Sequence, residues 1–468
     1  MSISPELAEL AQRVGVATGY VDGTGVARVP SVEVLIAVFR ALGIAIDRES
    51  DAASLLADSE ALPAVPVRST AAAPTTCAAG PQPARTWGVF APLAGLAASP
   101  AERAAPGHIG TLAALDRTVA SLGGRIVSTL PLVAGRPDDP SPYSPVTWRF
   151  WDPRWVDRSW LRGRLGGDGP GAVDHPLVQS WCADHGDAVR FVRWRSAAAR
   201  HGWDPSTWSG DVSAWVRTGQ GPPERAGIDP HHVAAALVDQ FGVTAHLDEL
   251  GAEMRAGGRA LYLDLPVGVR PDSFDVWERP DLYVRGVSIG APPDRFFPDG
   301  QSWGLAPVHP LRAAVSDFDV VRAALDAHMS VAGVLRIDHV MGLHRQFWVP
   351  DGAPAGDGTY VAFPADQLWE AVAQHSQRHG CGIVGEDLGT VPDEVRAAMA
   401  ERAARGLFIA QDEVRHPFRL ARTPPSAAVA SLNTHDLPPV ATWWAEHGDP
   451  TVPTATVRDH LLAELAAS

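Results

Sequence analysis

The sequence predicts an α/β fold of the (β/α)8 TIM-barrel type, with long loop insertions, an eighth strand apparently missing, and a small helical N-terminal domain in front. Three observations predict it. Short apolar runs alternate with amphipathic stretches from Thr86 onward, acidic residues stand at the ends of several of those runs, and residues 1–61 carry helical spacing.

In residues 1–61, Ser31 offers an N-cap, Leu35, Val38, Phe39 and Leu42 follow helical spacing, and Gly43 closes the helix. Residues 62–85 are rich in Pro, Ala and Thr without an apolar face, and read as a flexible linker. Residues 86–468 form the barrel unit. Its candidate strands are Thr86–Ala91, Arg125–Pro131, Ala260–Leu265, Gly333–Asp338, Gly382–Glu386, Gly406–Gln411 and Ala427–Asn433. Amphipathic stretches lie between them at Thr111–Leu122, Phe318–Met329, Pro364–His379 and Pro392–Ala404.

An insertion at about 143–230 reads as Trp-rich and Gly-rich loops. Its RGRLGGDGPGA stretch around Gly166 lacks the Lys-Ser/Thr of a phosphate loop and reads as a flexible turn. His231 and His232 read as the first turn of a helix. Seven strands are found where a closed barrel of this type needs eight. After the seventh there is sequence for one helix, Thr456–Ala467 with Thr456 as N-cap, so the barrel reads as incomplete at the C-terminus.

The chain has 468 residues, 46% hydrophobic and 20% charged, which is an ordinary globular balance. A formal charge of −15 with scattered Arg argues against a nucleic-acid partner, which needs clustered cations. No apolar run is long enough to span a bilayer, and MSISPELAEL lacks a signal-peptide pattern. Cys77, Cys182 and Cys381 are few, odd in number and far apart, which fits a reducing, cytoplasmic setting and excludes a CxxC metal site. The 16 Trp residues are mostly core by expectation, and they also suit sugar faces.

The chemistry-bearing residues follow from the strand assignment. The fourth strand ends at Asp338 in VLRIDHVMGL, the fifth at Glu386 in GIVGEDLGTVP, and the seventh leads to Asp436 in ASLNTHDLPP. Barrel active sites lie at the carboxyl ends of strands. Glycosyl transfer with retention needs two carboxyls, one attacking the anomeric carbon and one shuttling the proton. Arg336 lies two residues before Asp338, on the same strand face, and is expected to hold that carboxylate ionised. Glu386, beside Asp387 and facing Asp338, is expected to have a raised pKa. A single acid at a strand end is ordinarily a solvated loop residue or a helix cap; three in such settings outweigh that reading.

RIDHVMGL, GEDLGTVP and NTHDLPP resemble the three signature motifs of the 4-alpha-glucanotransferases, also called amylomaltases or disproportionating enzymes, in the alpha-amylase clan. The resemblance covers about Thr86 to Gly448. It extends to SPYSP at Ser141–Pro145, YLDLPVGVRPDSFDVW at Tyr262–Trp277 and GVSIGAPPDRFFPDGQSWG at Gly286–Gly304. It implies Asp338 as nucleophile, Glu386 as acid/base and Asp436 as the carboxylate gripping sugar hydroxyls. It further implies Tyr143, Asp272 and Trp303 as substrate contacts, the last within a loop over the glucan groove. His435 is drawn toward a sugar hydroxyl; Arg336 and His339 are grouped with the binding residues.

Bland readings stand beside these. Tyr143 reads equally as a packed turn residue, Trp303 as a core anchor, Asp272 as a turn cap, and His339 and His435 as core histidines. The sequence departs from the family pattern at Gly107–Thr111, which reads GHIGT where relatives carry Gly-Ile-Gly-Asp, and in its short C-terminal part.

The resemblance implies a retaining 4-alpha-glucanotransferase passing α-1,4-glucan segments between maltooligosaccharides, without cofactor, metal or membrane. The alternatives are an α-glucan hydrolase of the same clan and a truncated, inactive glucan-binding relative. A metal hydrolase built on Asp338, His339, His435 and Asp436 is disfavoured, because adjacent residues of a strand face opposite ways.

Overall fold

All seven anticipated strands are present, and they stand in chain order across one parallel array. The computed structural model describes residues 3–58, 74–80, 85–97, 106–415, 419–449 and 451–467. Strands β1 (Gly88–Phe90), β2 (Ile126–Ser128), β3 (Ala260–Leu265), β4 (Val334–Ile337) and β5 (Gly382–Gly385) form a five-stranded parallel sheet in that order. β6 (Gly406–Ile409) and β7 (Ala428–Ser431) pair in parallel. A bridge between Val384 and Arg405, with Arg405 N–H donating to Ile383 O, carries the array from β5 to β6. Among the described residues, no eighth strand joins β7 to β1.

β3 is buried at all six positions, as a parallel strand covered on both faces should be. Its neighbour β4 is likewise buried throughout. Helices Ile109–Ser121, Asp319–Met329, Ala365–His379 and Asp393–Glu401 lie within or beside the anticipated amphipathic stretches. Between β3 and β5 the chain also builds a four-stranded antiparallel sheet. Its order is Thr359–Ala362, Arg345–Pro350, Val287–Ala291, Gln301–Leu305.

The insertion differs from the expectation of loops. It folds as helices Arg158–Leu165, Pro176–Asp184, Gly186–His201 and Gly210–Thr218, leading to the long helix Pro230–Ala256. Several start on a local signal: Asp157, Ser209 and Asp229 accept hydrogen bonds from first-turn N–H groups. The tryptophans serve as their core, with Trp194, Trp208 and Trp215 packed beside Phe191 and Leu161. Gly166 adopts a left-handed φ of 72° and closes the first of these helices, which gives the Gly-rich stretch a structural purpose.

Residues 3–58 contain helices Pro5–Arg13, Val32–Ala41 and Ala52–Ala57, plus a small antiparallel hairpin, Tyr20–Val21 with Ala27–Arg28. Ser31 caps the second helix by accepting from Val34 N–H. Leu7, Leu10, Leu35 and Phe39 join the same hydrophobic cluster as β3 and β4 side chains such as Leu263 and Leu335. Of residues 62–85, residues 74–80 lie against the fifth strand: Ala78 bridges Gly382 and its N–H donates to Ser376 Oγ. Residues 62–73 and 81–84 of the anticipated linker lie outside the described residues. The last helix spans Thr454–Ala467, so Thr456 sits within its first turn rather than at its cap.

Candidate active site

β3, β4 and β5 deliver three acidic groups and one cation to a single spot. In the parallel register Asp264 stands opposite Arg336, and Val384 opposite Arg336 on the other side. The guanidinium therefore lies between two neighbouring strands. Its Nη1 donates to both oxygens of Asp264, at 2.7 and 2.8 Å, and its Nη2 lies 2.8 Å from Asp338 Oδ1. The Asp264 pair is buried on both sides, where such a charge needs this fork geometry to be tolerated. Burial opposes the charged guanidinium, but Asp264 and Asp338 outweigh it and hold Arg336 firmly protonated.

Glu386 follows β5 directly, one rung beyond the Gly385–Ile337 pairing, and so stands beside Asp338. Its Oε2 accepts from His339 N–H at 3.0 Å and its Oε1 from Leu388 N–H at 2.8 Å. Gly385 makes this approach possible: a Cβ there would lie 2.9 Å from Val340 Cγ2 and from Met399 Cε. The neighbouring Asp387 faces away, accepting from Leu407 N–H of β6 at 2.9 Å.

Burial raises the Glu386 carboxyl above its ordinary value and Asp387 adds to this, against Arg336 and the two backbone donors. That direction agrees with expectation. Asp338 departs from it: burial, with Asp264, Glu386 and Asp436 nearby, outweighs Arg336 and raises its carboxyl well above the usual range. Arg336 orients Asp338 and lowers its proton affinity, but one guanidinium is shared among several acids. The Glu386 charge is among those that raise the Asp338 carboxyl.

Asp436, after β7, is 73% exposed at its side chain and contacts His435 Nε2 at 3.3 Å. It lies close enough to raise the Asp338 carboxyl. His435 stacks on Tyr143, with centroids 5.0 Å apart and rings 8° from parallel, and more loosely on Phe90 of β1 at 6.2 Å. Burial lowers the His435 pKa. Tyr143 donates its hydroxyl to Asp264 Oδ2 at 2.6 Å, so the SPYSP turn is tied to the same carboxylate as Arg336. His339 adopts a left-handed φ of 47°; its ring meets Trp303 edge-on at 5.3 Å, and burial lowers its pKa to about 4.

Thus Asp338, Glu386, Arg336, His339, Tyr143, His435 and Asp436 are brought together, and Trp303 joins them through His339. Asp272 is held in an ion-pair network: Arg136 Nη1 donates to it at 2.8 Å, Arg270 Nε also at 2.8 Å, and Arg270 reaches Asp139. Asp264 was missed by sequence reasoning. The signal was available, since a lone carboxylate inside the apolar run ALYLDL demands a buried partner. At the departure from the family pattern, Thr111 Oγ1 accepts from His108 N–H at 3.0 Å and closes the start of helix Ile109–Ser121.

Fold and site together define a class: an α/β protein with a parallel strand array and paired acids at the carboxyl ends of neighbouring strands. Residues 172–464 match the family model described as 4-alpha-glucanotransferase. The chain belongs to the 4-alpha-glucanotransferase family.

It is 44% identical over 185 residues to a 4-alpha-glucanotransferase of Haemophilus influenzae, covering 39% of this chain and 26% of that one. It is 31% identical over 373 residues to one of Mycobacterium tuberculosis, covering 68% and 51%. The chain thus spans about half or less of these curated relatives. Among solved structures it is similar to amylomaltase from Corynebacterium glutamicum, with TM-score 0.72, 21% identity and coverage of 98% and 84%. It is also similar to the Streptococcus agalactiae amylomaltase in complex with acarbose, with TM-score 0.67, 16% identity and coverage of 81% and 84%. At these identities the likeness is one of fold.

Proposed function

We propose that the chain is a retaining 4-alpha-glucanotransferase that moves α-1,4-glucan segments between maltooligosaccharides. The observation that carries this is the adjacency of Asp338 and Glu386, at neighbouring strand ends and linked through His339 N–H. In the first half-reaction the Asp338 carboxylate bonds to the anomeric carbon while the bond to the leaving glucosyl oxygen breaks. Glu386 gives that oxygen its proton. In the second, an acceptor sugar hydroxyl loses its proton to Glu386, attacks the same carbon and releases Asp338. The Arg336 contact favours the ionised form on Asp338 of the pair. Such double displacement requires the two carboxyls to lie about 5–5.5 Å apart.

Asp436 and His435 would grip sugar hydroxyls, with Arg336 and His339 contributing to the same binding. Tyr143, Trp303 and Asp272 would contact flanking glucose units. No helix among the described residues is long and apolar enough to cross a membrane. The three free thiols fit the cytoplasmic setting proposed here.

Maltotriose fed to the purified chain tests the reading. Transfer gives maltooligosaccharides longer than the substrate together with shorter products. Shorter sugars alone would make the chain a hydrolase, and no turnover with retained glucan binding would make it a silent relative.

A further inference from the structure

We propose that Asp326, His375 and His379 form a divalent-metal site of the zinc type, tying two outer helices together at the end of the sheet away from the acids. His375 and His379 are four residues apart on helix Ala365–His379, so their rings rise from one face, and they stack at 6.3 Å. Asp326 comes from the adjacent helix Asp319–Met329. Its Oδ1 lies 3.3 Å from His375 Nδ1 and 2.8 Å from His379 Nε2. All three potential ligand atoms lie within 4.8 Å of one another.

Tetrahedral zinc with bonds to nitrogen and oxygen near 2.1 Å sets its ligand atoms about 3.4 Å apart. The Asp326–His375 spacing already meets that. The shorter Asp326–His379 contact needs to open by about half an ångström, which a small turn of the outer ring supplies. Two imidazoles and a carboxylate leave a fourth position for water, and that donor set suits zinc over the harder magnesium or calcium.

A second observation separates this cluster from a chance grouping of charges. His375 is only 6% exposed, and its Nδ1, which faces Asp326, is buried without a hydrogen bond of good geometry. At 3.3 Å from the carboxylate, this buried ring nitrogen is spaced as two ligands of one ion are. Against burial, which raises it, the His379 hydrogen bond and the charges of His379, His375 and Arg378 hold the Asp326 carboxyl below its usual value. The competing cation is Arg378, whose Nη1 is 3.5 Å from Asp326 Oδ1; its side chain is 66% exposed and free to swing outward.

Both helices lead into strand starts, Asp319–Met329 into β4 and Ala365–His379 into β5. The proposed ion would therefore brace the two strands that end in Asp338 and Glu386, from their opposite ends. Sequence reasoning sought metal chemistry only at strand ends and passed over this His-x3-His pair.

The test uses the full chain, stripped with a chelator and titrated with zinc chloride against a chromophoric competitor. Three proteins are compared: the wild type, His379→Gln at the outer ring, and Asp326→Asn as an independent variant. One equivalent of zinc per chain is expected, weakened about tenfold or more in both variants. Zinc should raise the wild-type Tm by about 2–5 °C and leave the variants unmoved. Cobalt(II) should give absorption bands of tetrahedral intensity in the wild type alone. Absence of a bound equivalent, or equal zinc binding by wild type and both variants, overturns the proposal. Because the proposed ion is structural, maltotriose turnover in excess chelator is expected to persist, which keeps this test separate from that of the catalytic reading.

Discussion

The backbone N–H of His339, the residue following Asp338, donates to Glu386 Oε2 at 3.0 Å. His339 itself holds a left-handed φ of 47°, a conformation costly for a residue with a Cβ. The proposed nucleophile and acid/base are therefore coupled through one peptide unit, and displacement of one strand end moves the other.

Asp338→Asn and Glu386→Gln keep the size of each side chain while removing its charge. Each is expected to lower kcat on the order of 10³-fold or more with maltotriose. Circular dichroism and glucan binding should stay near the wild type. Transfer at more than a tenth of the wild-type rate in Asp338→Asn would remove it from the mechanism.

Stability should depend on pH through the same pair. Both carboxyls are raised in the folded chain, so their contribution is present below the ordinary carboxylate pKa. It is lost as pH rises through the raised folded values. Asp338→Asn removes one titrating group, so its Tm relative to wild type should climb as pH rises from acid to neutral and beyond. Thermal scans across that range check the sign.

Arg336→Gln removes the cation that lowers both carboxyls. The acid limb of the kcat/KM profile should move to higher pH. The chain should lose about 3–5 kcal/mol of stability, because Asp264 is left buried without its partner. Arg336→Lys should restore part of the pH profile but less of the activity, since an ammonium cannot match the fork that spans Asp264 and Asp338.

Gly385→Ala would put a methyl against Val340 and Met399. We expect a stability loss of about 1–3 kcal/mol and a fall in kcat larger than any rise in KM, since Glu386 is the next residue. Denaturant unfolding and steady-state kinetics measure the two.

Trp303→Ala should raise KM about tenfold with little loss of Tm, because the half-buried ring meets His339 edge-on and is not part of the core. A large drop in Tm with unchanged KM would make it a packing residue instead.

The strands and the acids after them were legible because parallel strands read as short apolar runs, and the motif acids follow their ends. Asp338, Glu386 and Asp436 were placed by that rule and by the family likeness together. The helices of residues 158–218 were not legible, since most are brief, Pro- or Gly-punctuated and dependent on tertiary contacts among Phe191, Trp194 and Trp208. Asp264 escaped because its significance lies in register: only the pairing of β3 with β4 sets it across from Arg336. The direction of the Asp338 shift escaped for a similar reason, since it depends on how many acids share one guanidinium.

Asp264 and Asp338 contact Arg336, and Glu386 and Asp436 lie close enough to raise the Asp338 carboxyl, so the site has an unbalanced appetite for positive charge. A neutral sugar barely feels that field when it arrives. As the bond to the leaving oxygen stretches and the ring takes on oxocarbenium character, the attraction grows with the charge. On the proposed function, an amine-bearing sugar mimic that is cationic at that position is expected to bind more tightly than its neutral counterpart.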